Sequence, residues 1–306
     1  MAVRRTRVAG RRNIEASIEI EAPVEAVWKA LTDAEELTRW LPLQARVTPN
    51  AGGSIWLSWG PPYEGEARIE VWEPNRRLRT ADQGFGNSDV AGAPRQTAEA
   101  GSGPGDGRSG PAQASLEYQL EERPGKTALH LVHSGFGRDN DWDEEFDSFR
   151  RGWQHELRSL RHYLETHRGT PRRAIWPRVP LPAGCSVMQA WERLMSRDGL
   201  LRSGSIAGLR EGTRYEIKTA AGDELRGAVV INQPPDFTGT VENLNAALLR
   251  VRIEASHGIR EAGLRLSTYG LPASQLEAIE TGWMEMLRKL FAPAASAAHA
   301  GGRPVF

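Results

Sequence analysis

Ile14, Ala16, Ile18 and Ile20 alternate with Glu15, Ser17, Glu19 and Glu21, the period-two pattern of a strand with one buried face. Pro23 follows and opens a helix at its first turn, where a missing N–H costs nothing. Val24, Val27, Trp28 and Leu31 form the apolar stripe of that helix. A shorter helix over 33–41 stops before Pro42. Strand-like runs come next at Ser54–Ser58, 67–72, 78–80, 116–120 and 127–133. A long helix then spans about 141–165, with Phe146, Phe149, Trp153, Leu157, Leu160 and Leu164 on one side. A strand, two helices, several antiparallel strands and a long helix predict an α+β architecture.

Two stretches interrupt this pattern. Residues 84–112 hold eight glycines and only Phe85 and Val90 as sizeable apolar groups; such a stretch buries too little to offset its ordering entropy and reads as a disordered loop. Residues 168–185 hold Pro171, Pro177, Pro180 and Pro182 and read as a linker at a domain boundary. The first domain then covers 13–167, a second 186–292, and 293–306 form a flexible tail. The second half repeats the first in shortened form. Residues 23–31 align with 186–194, 127–135 with 262–270, and Gly152-Trp153 with Gly282-Trp283. The first two offsets differ by 28 residues, nearly the length of the glycine-rich loop, so one insertion into a duplicated unit accounts for most of the shift.

Composition narrows the function classes. Thirty-nine basic and thirty-nine acidic residues cancel, and the five arginines of the first twelve residues lack interleaved aromatics, so nucleic acid is not an expected partner. No apolar run approaches the ~20 residues of a membrane span; a cytoplasmic protein is expected. One cysteine, Cys185, excludes an internal disulfide framework.

The motifs at 21–28 (EAPVEAVW), 36–42 (ELTRWLP), 73–78 (EPNRRL) and 131–136 (LVHSGF) resemble one branch of the START/SRPBCC superfamily, the one named after the activator of a heat-shock chaperone's ATPase. The resemblance covers roughly 13–167, and 186–292 look like a second, degenerate copy. It implies a helix-grip fold present twice: a curved antiparallel sheet around a long C-terminal helix, with a cavity between them. The alternation supplies a wall for such a cavity, with inward sets Ile55/Leu57/Trp59, Ala67/Ile69/Val71, Leu78/Thr80 and Leu129/Leu131/His133. The candidate ligand-binding residues are Leu57, Trp59, Ile69, Val71, Tyr118, Leu131, His133, Phe146, Phe149 and Trp153. The alternative reading is that Trp56, Trp59, Trp72 and Trp153 are simply core.

Catalytic patterns are sparse. His130 and His133 point to opposite faces of a strand, and His155 and His162 lie about 10 Å apart along a helix, so neither pair suits a metal. Residues 139–143 (DNDWD) look like the start of a calcium loop but lack its sixth-position glycine and final glutamate; they suit the start of the long helix. No metal or cofactor is expected. Glu64, Glu66, Arg68 and Glu70 should be solvated, unless the register slips by one. The expected function is binding of a small hydrophobic or amphipathic molecule in the first domain. The resemblance also implies two alternatives. One is a cyclase/aromatase-like enzyme, with His133 as weak catalytic candidate and Tyr118 or Ser58 beside it. The other is a co-chaperone that stimulates an ATPase. The second domain reads as structural or dimerising, which leaves a homodimer open.

Overall fold

Strand β1 (Ala2–Val8) pairs antiparallel with β2 (Arg11–Ile20), so the arginine-rich start, which the pattern left without an element, is an edge strand. The computed structural model describes residues 2–8, 11–61, 63–82, 114–136, 143–256 and 259–292. The glycine-rich segment 84–112, the start of the acidic run (139–142) and the tail 293–306 lie outside the described residues.

After β2 come helices α1 (Val24–Thr32) and α2 (Ala34–Thr38). Asp33 caps α2, its side chain accepting from the Glu36 N–H at 3.0 Å. Strands β3 (Gln44–Val47), β4 (Ser54–Ser58), β5 (Glu64–Glu73), β6 (Arg77–Asp82), β7 (Ser115–Arg123) and β8 (Lys126–Phe136) then form an antiparallel meander, and α3 (Asp143–Thr166) closes the unit. The sheet order is β1-β2-β8-β7-β6-β5-β4-β3. Its inner face and one side of α3 bury Ile18, Ile69, Leu129, Leu131, Leu157 and Leu160 in one core; each such side chain contributes about 1.5–3 kcal/mol. Asp143, Glu144 and Glu145 occupy the first turn of α3, matching the helix dipole.

The second half repeats this order. Strands β9 (Arg172–Ile175) and β10 (Arg178–Pro180) both pair with the last strand of the second sheet. The segment expected as a linker thus contributes two short strands to the second sheet, separated at Pro177. Helix α4 (Val187–Met195) starts at Ser186 with a reciprocal capping box to Gln189. Strands β11 (Leu201–Ser203), β12 (Arg214–Thr219), β13 (Glu224–Gln233), β14 (Asp236–Val241), β15 (Ala247–Ser256) and β16 (Ile259–Tyr269) lead into α5 (Ala273–Phe291). The order β10-β16-β15-β14-β13-β12-β11 matches the first sheet strand for strand from β2 to β3. The molecule is α+β, with the helix-grip arrangement built twice.

Helix α3 serves both halves. Its apolar side faces the first sheet, while Ser148, Arg151, His155 and Arg158 on its remaining surface are also buried. Polar groups of the second half meet them. Asp236 on β14 accepts from Arg250 Nε (3.1 Å) and Nη2 (2.6 Å), with Arg151 Nη1 3.6 Å away. His155 Nδ1 lies 2.9 Å from Thr238 Oγ1, and Ser148 bonds Glu254. Tyr269, at the end of β16, joins the first core and donates to the Arg39 carbonyl at 2.9 Å. An amphipathic pattern alone would leave the polar side of α3 in water. A second, equally polar sheet face covers it here.

Candidate functional site: a cavity beside α3

Phe149, Gly152, Trp153 and Glu156 follow one another at i, i+3, i+4 and i+7, so they share one face of α3. That face looks across a cavity of about 200 Å3 toward Ile55, Leu57, Trp59, Ala67, Leu78, Thr80, Leu116, Tyr118 and His133 of the first sheet. Leu31 and Leu37 of the two short helices, Leu41 just after them, and Ala114 and Ser115 complete the lining. Gly135 leaves room for Ala114: its φ is +104°, and a Cβ there would fall 2.6 Å from Ala114 Cα.

Six of the candidates read from the sequence line the cavity: Leu57, Trp59, Tyr118, His133, Phe149 and Trp153. Ile69 and Leu131 are fully buried core residues on the same sheet. Phe146 packs with Ile14 and Phe136 in a separate small cluster, where its ring meets Phe136 edge-on at 5.1 Å. Val71 is a correction. The pairing of β5 with β6 shifts between Ile69 and Val71, and this bulge reverses the alternation. Trp72 therefore turns inward against Trp28, ring centroids 5.2 Å apart, while Val71 pairs with Arg79 on the opposite face. Ser58 is another correction: its hydroxyl accepts from the Gly60 N–H at 3.1 Å and does not line the cavity. Glu64, Glu66, Arg68 and Glu70 are exposed.

Most of the lining is apolar, and its polar groups are few. Trp59 donates from Nε1 to the Leu41 carbonyl at 3.0 Å. His133 sits among Phe136, Phe149 and Trp153, with ring centroids 4.7, 5.2 and 6.1 Å away. Trp153 Nε1–H donates to His133 Nδ1 at 3.0 Å, which fixes the neutral tautomer with its proton on Nε2. Burial pushes the His133 imidazole down to about 4. The Tyr118 hydroxyl is pushed well above its ordinary value, mainly by burial and further by the charge of Glu156, so it stays a protonated donor. Glu156 is held by Arg265 of the second sheet through two bonds, Nη1–Oε1 at 2.9 Å and Nη2–Oε2 at 3.1 Å. Sequence reading missed Glu156 and Gly152. The signal for both was there, as a carboxylate and a glycine interrupting an otherwise apolar helical stripe.

The His133 shift has a consequence for stability. Below its ordinary pKa of 6.5 the unfolded chain takes up a proton that the folded chain refuses until about pH 4. Its contribution is therefore constant above pH 6.5 and falls as the pH drops from 6.5 to 4, by up to about 3 kcal/mol. His155, buried and held well below its ordinary value chiefly by desolvation, acts in the same direction. Urea unfolding at pH 7.5 and pH 5 should show this loss. His133→Gln, which keeps an acceptor for Trp153, should remove part of the pH slope; an unchanged slope would mean that His133 is protonated in the folded protein.

In the second half, His133 is replaced by Thr268, which is fully buried and donates to the Arg173 carbonyl at 3.1 Å. Trp283, the counterpart of Trp153, is fully buried and donates to Asp223 Oδ2 at 2.7 Å. The paired glycines differ as well. A Cβ at Gly152 would meet nothing within 4 Å, whereas one at Gly282 would lie 3.2 Å from Ala221 Cβ.

Among the described residues no group of three or more His, Cys, Asp or Glu could hold a metal ion, and no helix is long and apolar enough to cross a membrane. Among curated proteins, none matches the chain. Solved structures that are similar include the Aha1 dimer from Colwellia psychrerythraea, at 20% identity over 51% of this chain and 98% of that one, with a TM-score of 0.39. DynU16, a putative protein in the dynemicin biosynthetic locus, is 19% identical over 91% of this chain and 97% of its own, with a TM-score of 0.38. The di-domain ARO/CYC BexL from the BE-7585A biosynthetic pathway is 13% identical over 90% and 98%, with a TM-score of 0.38. Residues 21–165 match the family model described as activator of Hsp90 ATPase homolog 1-like protein. That span contains every residue lining the cavity, and over it the first half of the chain is similar to this family.

Proposed function

We propose that the first half binds a small apolar or amphipathic molecule between α3 and the curved sheet. The observation that carries this reading is the space opposite Gly152: about 200 Å3, walled mostly by apolar side chains, Leu most often. A packed core of this composition would leave no such space, because interiors close to crystal-like density. Burial of ~250 Å2 of ligand surface at about 25 cal/mol per Å2 gives ~6 kcal/mol, a dissociation constant of tens of micromolar.

His133 favours binding over cyclase-like proton transfer. Its Nδ1 is occupied by the Trp153 N–H, its Nε2 carries the proton, and burial opposes a positive charge. In that state it donates a hydrogen bond and is a poor base at neutral pH. Activation of a chaperone ATPase finds no comparable support in the geometry of the cavity.

The test uses N-phenyl-1-naphthylamine, a neutral fluorophore that brightens in apolar surroundings. The wild-type protein should bind it at micromolar concentrations. Gly152→Leu places an isobutyl group in the cavity without removing any core atom and replaces a helical glycine, whose cost relative to better helix formers is up to about 1 kcal/mol. The variant should stay folded and lose probe binding by tenfold or more, as read by fluorescence titration. Equal binding by both proteins would place the probe elsewhere and overturn the reading.

A further inference from the structure

Glu156 faces the cavity of the first half, yet its partner belongs to the second. Arg265 lies on β16 and grips both carboxylate oxygens, at 2.9 and 3.1 Å, with both side chains largely buried. Around them stand Tyr118 from β7, Arg250 from β15, Arg172 from β9 and Tyr269 from β16, all close enough to feel the charge of Glu156. A long flexible carboxylate side chain at the edge of a cavity would otherwise sample several rotamers. The guanidinium fork fixes it in one.

Each carboxylate oxygen has two lone-pair sites. The clamp uses one site on each, so acceptor capacity remains for a group inside the cavity. Tyr118 lies on the facing wall, and among the described residues its hydroxyl has no hydrogen-bond partner. An aliphatic ligand would leave both groups unsatisfied. A ligand with a hydroxyl at one end would satisfy Glu156 as donor and the Tyr118 O–H as acceptor. From this juxtaposition we infer that the cavity selects molecules with an apolar body and a hydroxyl group, and that Arg265 is the positioning residue through which the second half sets this selectivity. The inference rests on the cavity reading above and adds a ligand class and a role for the second half.

The test is a paired fluorescence titration with 2-naphthol and 2-methoxynaphthalene, which share an apolar body and differ in the hydroxyl proton. Wild-type protein should favour the naphthol by about tenfold, the value of one hydrogen bond to a charged group after its hydration is subtracted. Arg265→Met and Glu156→Gln should each bring the ratio to within a factor of two of unity. Arg265→Lys keeps the charge but loses the fork and should give an intermediate ratio. A wild type without preference, a preference that survives Glu156→Gln, or equal loss in the lysine and methionine variants would overturn the inference and leave the cavity reading intact. Binding of neither compound by the wild type would overturn both. If circular dichroism shows Arg265→Met unfolded, Glu156→Gln, which keeps shape and an acceptor for Arg265, decides the matter.

Discussion

Asp236→Ala should cost 3–5 kcal/mol of stability, the loss expected when one member of a buried ion pair is removed. Asp236 is 2% exposed and receives two hydrogen bonds from Arg250, with Arg151 close by. Its removal leaves the buried Arg250 guanidinium without its carboxylate, while Arg151 keeps Asp147 at 3.0 Å. The pair itself need not be stabilising relative to an apolar one, because both charges gave up hydration to enter the interface. The double variant Asp236→Leu/Arg250→Met should therefore recover most of the loss. Urea unfolding of the three proteins at pH 7.5 measures both quantities. A loss below about 1 kcal/mol for the single variant would mean that water reaches the site between α3 and the second sheet.

Trp283→Ala should be of similar size, about 3–5 kcal/mol. The indole is fully buried in the second core, and its N–H donates to Asp223. Trp283→Phe, which keeps most of the volume and loses that bond, should cost less. The form of the transition is informative as well. The side of α3 that meets the second sheet is polar, so water can hydrate it when the second half loosens. Calorimetry of Trp283→Ala should show a second half that melts first and a first half that melts near its original temperature. Between the two transitions N-phenyl-1-naphthylamine should still bind, while any preference for 2-naphthol should be lost along with Arg265. A single shifted transition would show that the junction couples the halves more strongly than its polar character implies.

The sequence reveals much of this architecture because two periods dominate it. Alternation at 14–20 and the stripe of the long helix fix which faces are inward, and the repeated motifs at 23–31 and 186–194 expose the duplication. Three features escape such reading, each for a physical reason. The bulge at Ile69–Val71 turns Val71 outward and Trp72 inward, and nothing in the composition of ARIEVW marks it. Strand β1 is built from arginine-rich sequence without alternation and is placed by its pairing with β2. The polar side of α3 carries Arg151, His155 and Arg158, residue types that normally signal solvent; their partners Asp236, Thr238 and Glu211, far away in sequence, are what allow their burial. The candidate site was legible in the same uneven way. Its aromatic wall follows from periodicity, but the carboxylate Glu156 acquires its meaning from Arg265, more than a hundred residues downstream.

Gly152 and Gly282 occupy equivalent places in the two long helices and precede equivalent tryptophans. The first keeps an interior vacant, and the second lets a helix rest against the turn at Ala221. A duplicated gene can thus retain the same letter at both positions while each copy comes under a different constraint: enlarging the first residue trades room for a guest, whereas enlarging the second pries two neighbouring segments apart. Substitution tolerance at these two sites should consequently diverge under selection for folding alone, with the earlier position the more permissive.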